Sequence, residues 1–289
     1  MTVASTLATP AVGRPRDHIV DVLIAERAPT LSRSWAWPLL RPALYGVLSY
    51  GKARRMADQI APMPGGPALD AVSALLSLTA EVAGFEHLPA QGRVVIIANH
   101  PTGIADGIAL YDVVKPLRPD ICFYANSDAH RVAPRFDEVL IPVEWVEAKR
   151  TRERTRLTLQ LTREAMEAER ALAIFPAGRL ARVRDGVLRD PEWMASAVSI
   201  ARKYEAPVLP VRITGPRSTL FHLFDKFSGE LRDITLFHEL LNKRGRRFAL
   251  QAGPLIPTAA LDGEAGEVSA RIKAYIEDVL PISPDRPFA

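Results

Sequence analysis

An uninterrupted apolar run in the chain ends directly at a polar, glycine-containing turn. The run is Val94-Val95-Ile96-Ile97-Ala98, and the turn begins at Asn99-His100 and continues to Asp106-Gly107. Residues branched at Cβ favour strands, and a strand that is apolar at every position is typical of a sheet covered on both faces. Ligands of open α/β sheets bind at the carboxyl ends of such strands. The sequence therefore predicts His100 at the ligand-binding edge of a sheet.

Strand and helix patterns alternate along most of the chain, which predicts an α/β fold with a mixed, largely parallel sheet and helices on both faces. Strands are predicted at residues 94–98, 121–125, 139–143, 171–175, 207–213 and 248–252. Helices are predicted from apolar spacing at residues 68–82, 104–113, 152–168, 192–204 and 266–279. Pro142 indicates that the strand at 139–143 is at an edge or near its end.

Residues 1–67 are predicted to be an N-terminal extension, and residues 68–289 an α/β domain, with a proline- and glycine-rich break at 63–67 between them. Residues 1–30 carry three prolines and are expected to be poorly ordered or loosely packed. Residues 31–60 mix aromatic and basic side chains. This pattern fits a helix at a membrane interface and equally a helix packed on the protein's own core.

Composition excludes several classes. The net charge of +4 is too small for a polybasic nucleic-acid binder. Cys122 is the single cysteine, so no intramolecular disulfide forms, and a reducing compartment is expected. The N-terminus lacks the apolar core of a signal peptide, and no apolar run reaches the ~18 residues that span a bilayer. We therefore expect a soluble or peripheral protein in the cytoplasm.

Positive charge is concentrated in two clusters. Such clusters suit phosphate-bearing ligands or an anionic membrane surface, although a solvated face is the commoner explanation. The first opens a predicted helix, where cations oppose the helix dipole, and an anionic ligand would relieve that conflict. The clusters are Lys149, Arg150, Arg152, Arg154 and Arg156, and Lys243, Arg244, Arg246 and Arg247.

His100 and Asp106 are the candidate catalytic pair. Histidine is the usual general base near neutral pH, and a carboxylate can orient its ring. His87, His130, His222 and His238 stand at no metal-ligand spacing with another histidine or cysteine, so no metal site is predicted. No glycine-rich nucleotide loop is present.

Further blocks follow in order. Phe175-Pro176-Ala177-Gly178-Arg179 follows a strand, and Val208-Leu209-Pro210-Val211 is a later strand. Together with Asn99-His100 and Asp106, these blocks resemble the glycerolipid acyltransferase superfamily, which includes lysophosphatidate acyltransferases. The resemblance also takes in Gly84-Phe85-Glu86-His87-Leu88-Pro89 and Ile141-Pro142-Val143, and it covers roughly residues 75–253.

Two departures mark a divergent branch. Five residues separate His100 from Asp106 where the common pattern has four, and this form is similar to hemolysin-like and ornithine-lipid-type acyltransferases. Gly103 can absorb the extra residue in a tight turn. Ala177 stands where the common pattern has glutamate, and Arg179 follows Gly178 directly instead of one residue later.

The resemblance implies acyl transfer from acyl-CoA or acyl carrier protein to a hydroxyl, or an amine, of a lysophospholipid or glycerolipid-like acceptor. His100 would be the general base, Asp106 would orient it, and Arg179 would bind an anionic head group. Backbone N–H groups of Gly103 and Gly107 would form an oxyanion site. The predicted substrate-binding residues are Asn99, Thr102, Gly103, Gly107, Phe175, Pro176, Gly178, Arg179, Arg150 and Pro210.

No bound cofactor is expected, and the partners expected are the acyl donor, the lipid acceptor and the cytoplasmic face of a membrane. The segment Leu220-Phe221-His222-Leu223-Phe224, with Phe227 after it, fits either core or a membrane-facing lip. Two other functions fit the same residues. One is a non-catalytic lipid-binding relative, and the other is a thioester or ester hydrolase in which His100 activates water.

Overall fold

The computed structural model describes residues 17–144, 151–184 and 186–289. The strands are β1 (Thr79–Ala83), β2 (Val94–Ala98), β3 (Cys122–Asn126), β4 (Leu140–Val143), β5 (Ala171–Ile174), β6 (Arg182–Arg184), β7 (Val187–Arg189), β8 (Val208–Thr214) and β9 (Arg247–Ala252). The helices are α1 (Ile19–Arg27), α2 (Pro29–Arg33), α3 (Trp37–Val47), α4 (Tyr50–Ile60), α5 (Gly65–Leu76), α6 (Ile104–Val114), α7 (Asp128–Val132), α8 (Arg152–Glu167), α9 (Ser196–Lys203), α10 (Thr219–Asp225), α11 (Gly229–Asp233), α12 (Leu236–Leu241) and α13 (Ala265–Ala274). One turn of π-helix, Tyr275–Val279, continues α13.

Seven strands form one sheet in the order β1-β9-β8-β2-β5-β3-β4. Every neighbouring pair is parallel except β8 and β9, which are antiparallel. The predicted fold class, a mixed and largely parallel sheet with helices on both faces, is confirmed. The position of β4 at the edge explains how Pro142 is tolerated there, because an edge strand leaves one side free of ladder hydrogen bonds.

The central strand β2 supplies both cores. Val94, Ile96 and Ala98 point into a cluster with the helices of one face, and Val95 and Ile97 point into a cluster on the other. All five side chains of β2 are buried. The first face carries α1, α4, α5, α6 and α12, and the second carries α8, α9 and α13. The strand pattern therefore fixes β2, and the turn after it, in the middle of the molecule.

The prediction of one helix over residues 68–82 is wrong at its C-terminal end. Helix α5 ends at Leu76 because Ser77 adopts a left-handed conformation with φ of 45°. Residues 79–83 instead form β1, which pairs in parallel with β9. Local apolar spacing fitted a helix, and a partner strand about 170 residues away decided otherwise. The helix predicted at 192–204 is shorter than expected, since α9 begins at Ser196.

The prediction of a poorly ordered or loosely packed segment over residues 1–30 is wrong for the part that the structure describes. Residues 19–27 form α1, and its Val20 and Leu23 side chains are buried. The His18 ring caps this helix by accepting the N–H of Val20. Residues 1–16 lie outside the described residues. Helix α4 places Met56 and Ile60 in the same cluster as Ile96, so the helices before residue 60 pack on the sheet.

Candidate active site

The turn after β2 brings the candidate pair together. His100 Nδ1 lies 3.1 Å from Asp106 Oδ2. Asp106 is in the first turn of α6 and is fully buried. The extra residue between them is accommodated at Gly103, which has φ of 93°, a conformation that favours glycine. A strand end and a helix start, joined by this turn, therefore place a carboxylate beside the imidazole.

Asp106 also holds the turn itself. Its Oδ2 accepts the N–H of Thr102 at 2.8 Å and of Gly103 at 3.0 Å, and its Oδ1 accepts the Thr102 hydroxyl at 2.5 Å. These bonds occupy the Gly103 N–H, so the expectation that Gly103 donates to an oxyanion is wrong. Thr102 is fully buried and supports Asp106 instead of lining the cavity that the described residues enclose.

The imidazole of His100 lies between Asp106 and the ring of Phe175. The His100 and Phe175 ring centroids are 4.6 Å apart, with the planes tilted by 33°. His100 Nδ1 is buried, and at 3.1 Å from Asp106 Oδ2 it is in ion-pair range without an aligned hydrogen bond to any described residue. With Nδ1 facing Asp106, Nε2 is the nitrogen left for a substrate.

A cavity of about 590 Å³ opens beside His100. Gly103, Gly107, Phe175 and Gly178, four of the residues predicted to bind substrate, line it near His100. Further walls come from α1, α4, α5, α12 and β3 and are largely apolar, with Leu23, Met56, Ile60, Leu69 and Phe123 among them, although charged side chains such as Glu26, Arg27 and Glu239 also line the cavity. A largely apolar cavity of this size suits a hydrocarbon chain next to a reactive group.

Four predicted substrate-binding residues do not line this cavity: Asn99, Thr102, Pro176 and Pro210. The Asn99 side chain pairs with the main chain of Ile213, donating to its carbonyl at 2.9 Å and accepting its N–H at 2.6 Å. It therefore ties β2 to β8. Pro176 is buried and accepts the N–H of Met194, and Pro210 is buried inside β8, between β2 and β9.

Two guanidinium groups stand at the cavity without a carboxylate partner among the described residues: Arg179 and Arg182. Arg179 was predicted from the sequence and is exposed, whereas Arg182, the first residue of β6, was not predicted and is partly buried. Other cations on the cavity wall are paired, Arg27 with Asp128 and Arg232 with Asp225. An incoming anion can therefore be met by Arg179 and Arg182 without breaking an ion pair.

The two basic clusters predicted from the sequence lie in different environments in the structure. Lys149 and Arg150 lie outside the described residues, and Arg152 and Arg156 are on α8, away from the cavity lining. The expectation that the second cluster serves a ligand or membrane is wrong for Lys243, which is 1% exposed and pairs with Glu239 at 3.0 Å. Burial inside the fold withdraws that charge from solvent.

Asp190 is, like Arg182, a residue near the site that the sequence did not predict. It follows β7, is buried, and accepts the main-chain N–H of His100 at 3.0 Å. Burial raises the pKa of Asp190 to about 6, against the opposing influence of His100. No short motif contains it, because its partner is a backbone group 90 residues earlier in the chain.

Comparison with known proteins agrees with this geometry. A family model described as Acyltransferase matches residues 79–214. A lyso-glycine lipid O-acyltransferase of Phocaeicola vulgatus is 26% identical over 224 residues, which are 73% of this chain and 76% of that protein. A lyso-glycine lipid O-acyltransferase of Bacteroides thetaiotaomicron is 24% identical over 220 residues, 73% of this chain and 78% of that protein.

Among solved structures, the 1-acyl-sn-glycerophosphate (LPA) acyltransferase PlsC of Thermotoga maritima aligns with 89% of this chain and 97% of its own, at 16% identity and a TM-score of 0.46. The matched segment 79–214 contains β2, the His100 turn, Asp106 and the Phe175–Arg179 block. The resemblance found in the sequence is confirmed over this segment: residues 79–214 match the acyltransferase family model, both curated relatives are lipid O-acyltransferases, and the protein is an acyltransferase.

Proposed function

We propose that the protein transfers a fatty acyl group from a thioester, acyl-CoA or acyl carrier protein, to a hydroxyl of a lysolipid with an anionic head group. The observation that carries this proposal is the position of His100, at 3.1 Å from Asp106 and on the wall of a largely apolar cavity. The pair supplies a base, and the cavity supplies room for a hydrocarbon chain.

His100 would accept the proton of the acceptor hydroxyl on Nε2 as the hydroxyl oxygen attacks the thioester carbonyl. The carboxylate of Asp106 would stabilise the imidazolium that results. Collapse of the tetrahedral intermediate breaks the carbon–sulfur bond, and the imidazolium returns its proton to the leaving thiolate. The products are an ester and a free thiol, and no nucleophilic residue of the protein is needed.

The acceptor class is inferred from the cations and from the relatives. Arg179 and Arg182 face the cavity without carboxylate partners in the described part of the chain, which suits a phosphate or a carboxylate. Both curated relatives are named for lyso-glycine lipids, and a glycine head group supplies a carboxylate. We therefore propose O-acylation of a lyso-amino-acid lipid of this kind ahead of lysophosphatidate.

A peripheral contact with the membrane would deliver such an acceptor. Trp35 is 87% exposed, Leu39 74% and Phe227 75%. Glu230 of α11 accepts the N–H groups of Thr30 and Leu31 in α2, so the segments that carry these side chains adjoin each other. Exposed apolar side chains on adjoining segments suit an interface with lipid. None of the described helices combines the length and apolarity required to cross a bilayer.

The proposal is tested by supplying labelled acyl-CoA and acyl carrier protein thioesters with a panel of acceptors: lyso-glycine lipid, lyso-ornithine lipid, lysophosphatidate and glycerol-3-phosphate. A lyso-glycine lipid whose carboxylate is esterified is the matched acceptor control. We expect an O-acylated lipid and a free thiol in equal amounts, with a higher KM for the esterified acceptor.

Two outcomes would overturn the proposal. Free fatty acid as the product with every acceptor would identify a hydrolase, in which water replaces the lipid hydroxyl. Binding of the lipids with no turnover of either thioester would identify a lipid-binding relative. Equal use of the charged and the esterified acceptor would remove the role given to Arg179 and Arg182.

A further inference from the structure

The main chain of His100 is held on both sides by the hairpin of β6 and β7. Its carbonyl accepts the N–H of Ala181, just before β6, at 3.0 Å. Its N–H donates to the carboxylate of Asp190, just after β7, at 3.2 Å to Oδ1 and 3.0 Å to Oδ2. Residues at the two ends of this hairpin therefore form hydrogen bonds to the main-chain N–H and the main-chain carbonyl of His100.

Asp190 is itself fixed by two further contacts. Its Oδ2 accepts the indole N–H of Trp193 at 2.9 Å, and Trp193 is buried in the core on the second face of the sheet. Its own N–H donates to Oε1 of Glu277 at 3.0 Å. Glu277 in turn pairs with Lys273 and Arg189. The C-terminal helical segment is thereby linked to the turn that carries His100.

Burial of an ionised carboxylate at this position is energetically unfavourable. Asp190 is 7% exposed, and an ionised carboxylate loses its hydration on burial, which costs several kcal/mol unless it is compensated. The compensation here is two N–H donors, one of them from His100. An apolar residue could fill the same space without that cost. The presence of a carboxylate here is explained if its hydrogen bond to the His100 N–H is needed to fix the position of the His100 main chain.

We propose that Asp190 is a positioning residue for acyl transfer, which fixes the His100 backbone while Asp106 faces the imidazole. The inference rests on the proposed role of His100 as the base. Asp106 sits on α6 and Asp190 follows β7, so the two carboxylates reach His100 from opposite segments. Productive geometry must be held within about 0.5 Å, and a displacement of about 1 Å costs roughly 100-fold in rate.

The variants Asp190→Ala, Asp190→Asn, Trp193→Phe and the double variant Asp190→Asn/Trp193→Phe test this directly. In Asp190→Asn an amide oxygen at the Oδ2 position is shared between the His100 and Trp193 donors, while the amide NH₂ takes the Oδ1 position, which lies 3.2 Å from the His100 nitrogen. Removal of the indole donor in the double variant frees the oxygen for His100. We expect kcat of Asp190→Ala to fall about 10- to 100-fold with KM within about twofold. The double variant should recover a large part of the loss seen in Asp190→Asn.

A second measurement does not depend on acyl transfer. Selective ¹⁵N labelling of histidine gives backbone amide signals for six residues, and His100→Gln identifies the His100 signal by its disappearance. In Asp190→Ala we expect the His100 amide to shift and to exchange with deuterium about 10- to 100-fold faster, because a hydrogen bond to a charged acceptor is lost. The other five signals should stay in place.

The two measurements separate the possible failures. An unchanged His100 amide in a folded Asp190→Ala variant would overturn the contact, and a rise in KM without a fall in kcat would overturn the positioning role. A shifted amide in a protein that transfers no acyl group would leave the contact standing and would overturn the proposed function instead. Failure of the double variant to recover rate would show that Asp190 does not act through the His100 peptide.

Discussion

One carboxylate oxygen, Oδ2 of Asp106, faces the imidazole of His100 and also binds the turn that leads to it. It lies 3.1 Å from His100 Nδ1 and accepts the N–H groups of Thr102 and Gly103. Orientation of the proposed base and closure of the turn therefore depend on the same side chain. A side chain at position 106 that still accepts the hydrogen bonds of the turn should therefore preserve the fold while activity falls. A side chain that accepts none should lose stability as well.

Replacement of Asp106 by asparagine should reduce activity while it preserves the fold. The amide oxygen can still accept the Thr102 and Gly103 N–H groups, and the amide NH₂ can donate to the Thr102 hydroxyl. The charge beside the imidazolium is lost, so we expect kcat to fall by about 10²- to 10⁴-fold. Steady-state kinetics and thermal unfolding measure the two effects.

Replacement of Asp106 by alanine should also destabilise the protein. Three buried donors lose their acceptor, and each unsatisfied buried group costs about 1–3 kcal/mol. The free energy of unfolding should therefore fall by about 3 kcal/mol or more relative to Asp106→Asn, as measured by urea denaturation. Equal stability of the two variants would contradict the hydrogen-bond pattern of the turn.

Arg179→Ala and Arg182→Ala should each weaken binding of an anionic acceptor. A lost charge-assisted hydrogen bond costs about 1.5–3 kcal/mol, which corresponds to a KM about 10- to 100-fold higher. The kcat should change little, because neither residue contacts His100 or Asp106 by hydrogen bond or ion pair. Arg163→Ala, on the exposed side of α8, is the control and should leave KM unaltered. A fall in kcat at unchanged KM would argue against head-group binding.

Asp190 should make a measurable contribution to the pH dependence of stability. Its pKa is raised from 3.8 to about 6 by burial, so between these values the folded state holds a proton that the unfolded state has lost. Stability from this group is present below pH 3.8 and is lost as pH rises through 6. The difference in unfolding free energy between wild type and Asp190→Asn should therefore fall by about 3 kcal/mol across this window. A difference that stays constant from pH 4 to pH 7 would contradict the burial of an ionising carboxyl.

Trp35→Ser and Leu39→Ser should weaken binding to vesicles of anionic phospholipid. Burial of a large apolar side chain contributes about 1.5–3 kcal/mol, so each change should lower the partition coefficient by about 10- to 100-fold. Ile282→Ser is the control, because Ile282 is 83% exposed and lies near the C-terminus. Turnover of a detergent-dispersed acceptor should be the same in all three variants. Loss of vesicle binding in Ile282→Ser as well would show that any exposed apolar side chain contributes to binding, and that Trp35 and Leu39 have no special role.

Local sequence patterns were sufficient to predict β2 and the proximity of His100 and Asp106. A strand that is apolar throughout, a turn and a helix start follow within 13 residues, from Val94 to Asp106, so sequence spacing limits how far apart the two side chains can be. The same argument gave the block at Phe175, which β5 delivers to the same edge because β5 is parallel to β2.

Contacts between distant segments could not be predicted in this way. Asn99 resembles a ligand-binding residue in the sequence, but its side chain pairs with Ile213, which is 114 residues away. Residues 79–83 have helical spacing and became a strand because β9 pairs with them. Asp190 binds a main-chain group, and a main-chain N–H leaves no residue-specific signal in a sequence. Such roles depend on which distant segments the fold brings together. The sequence predicts the fold class but not these contacts.

The central claim, that His100 is the base for acyl transfer, is tested most directly by the rate of ester formation in His100→Ala. His87→Ala is the matched control, because His87 is partly buried and does not line the cavity. We predict that kcat/KM for the acylated lipid falls by about 10²- to 10⁴-fold in His100→Ala and is unchanged in His87→Ala, with both variants folded. Ester formation at the wild-type rate by His100→Ala would contradict the account.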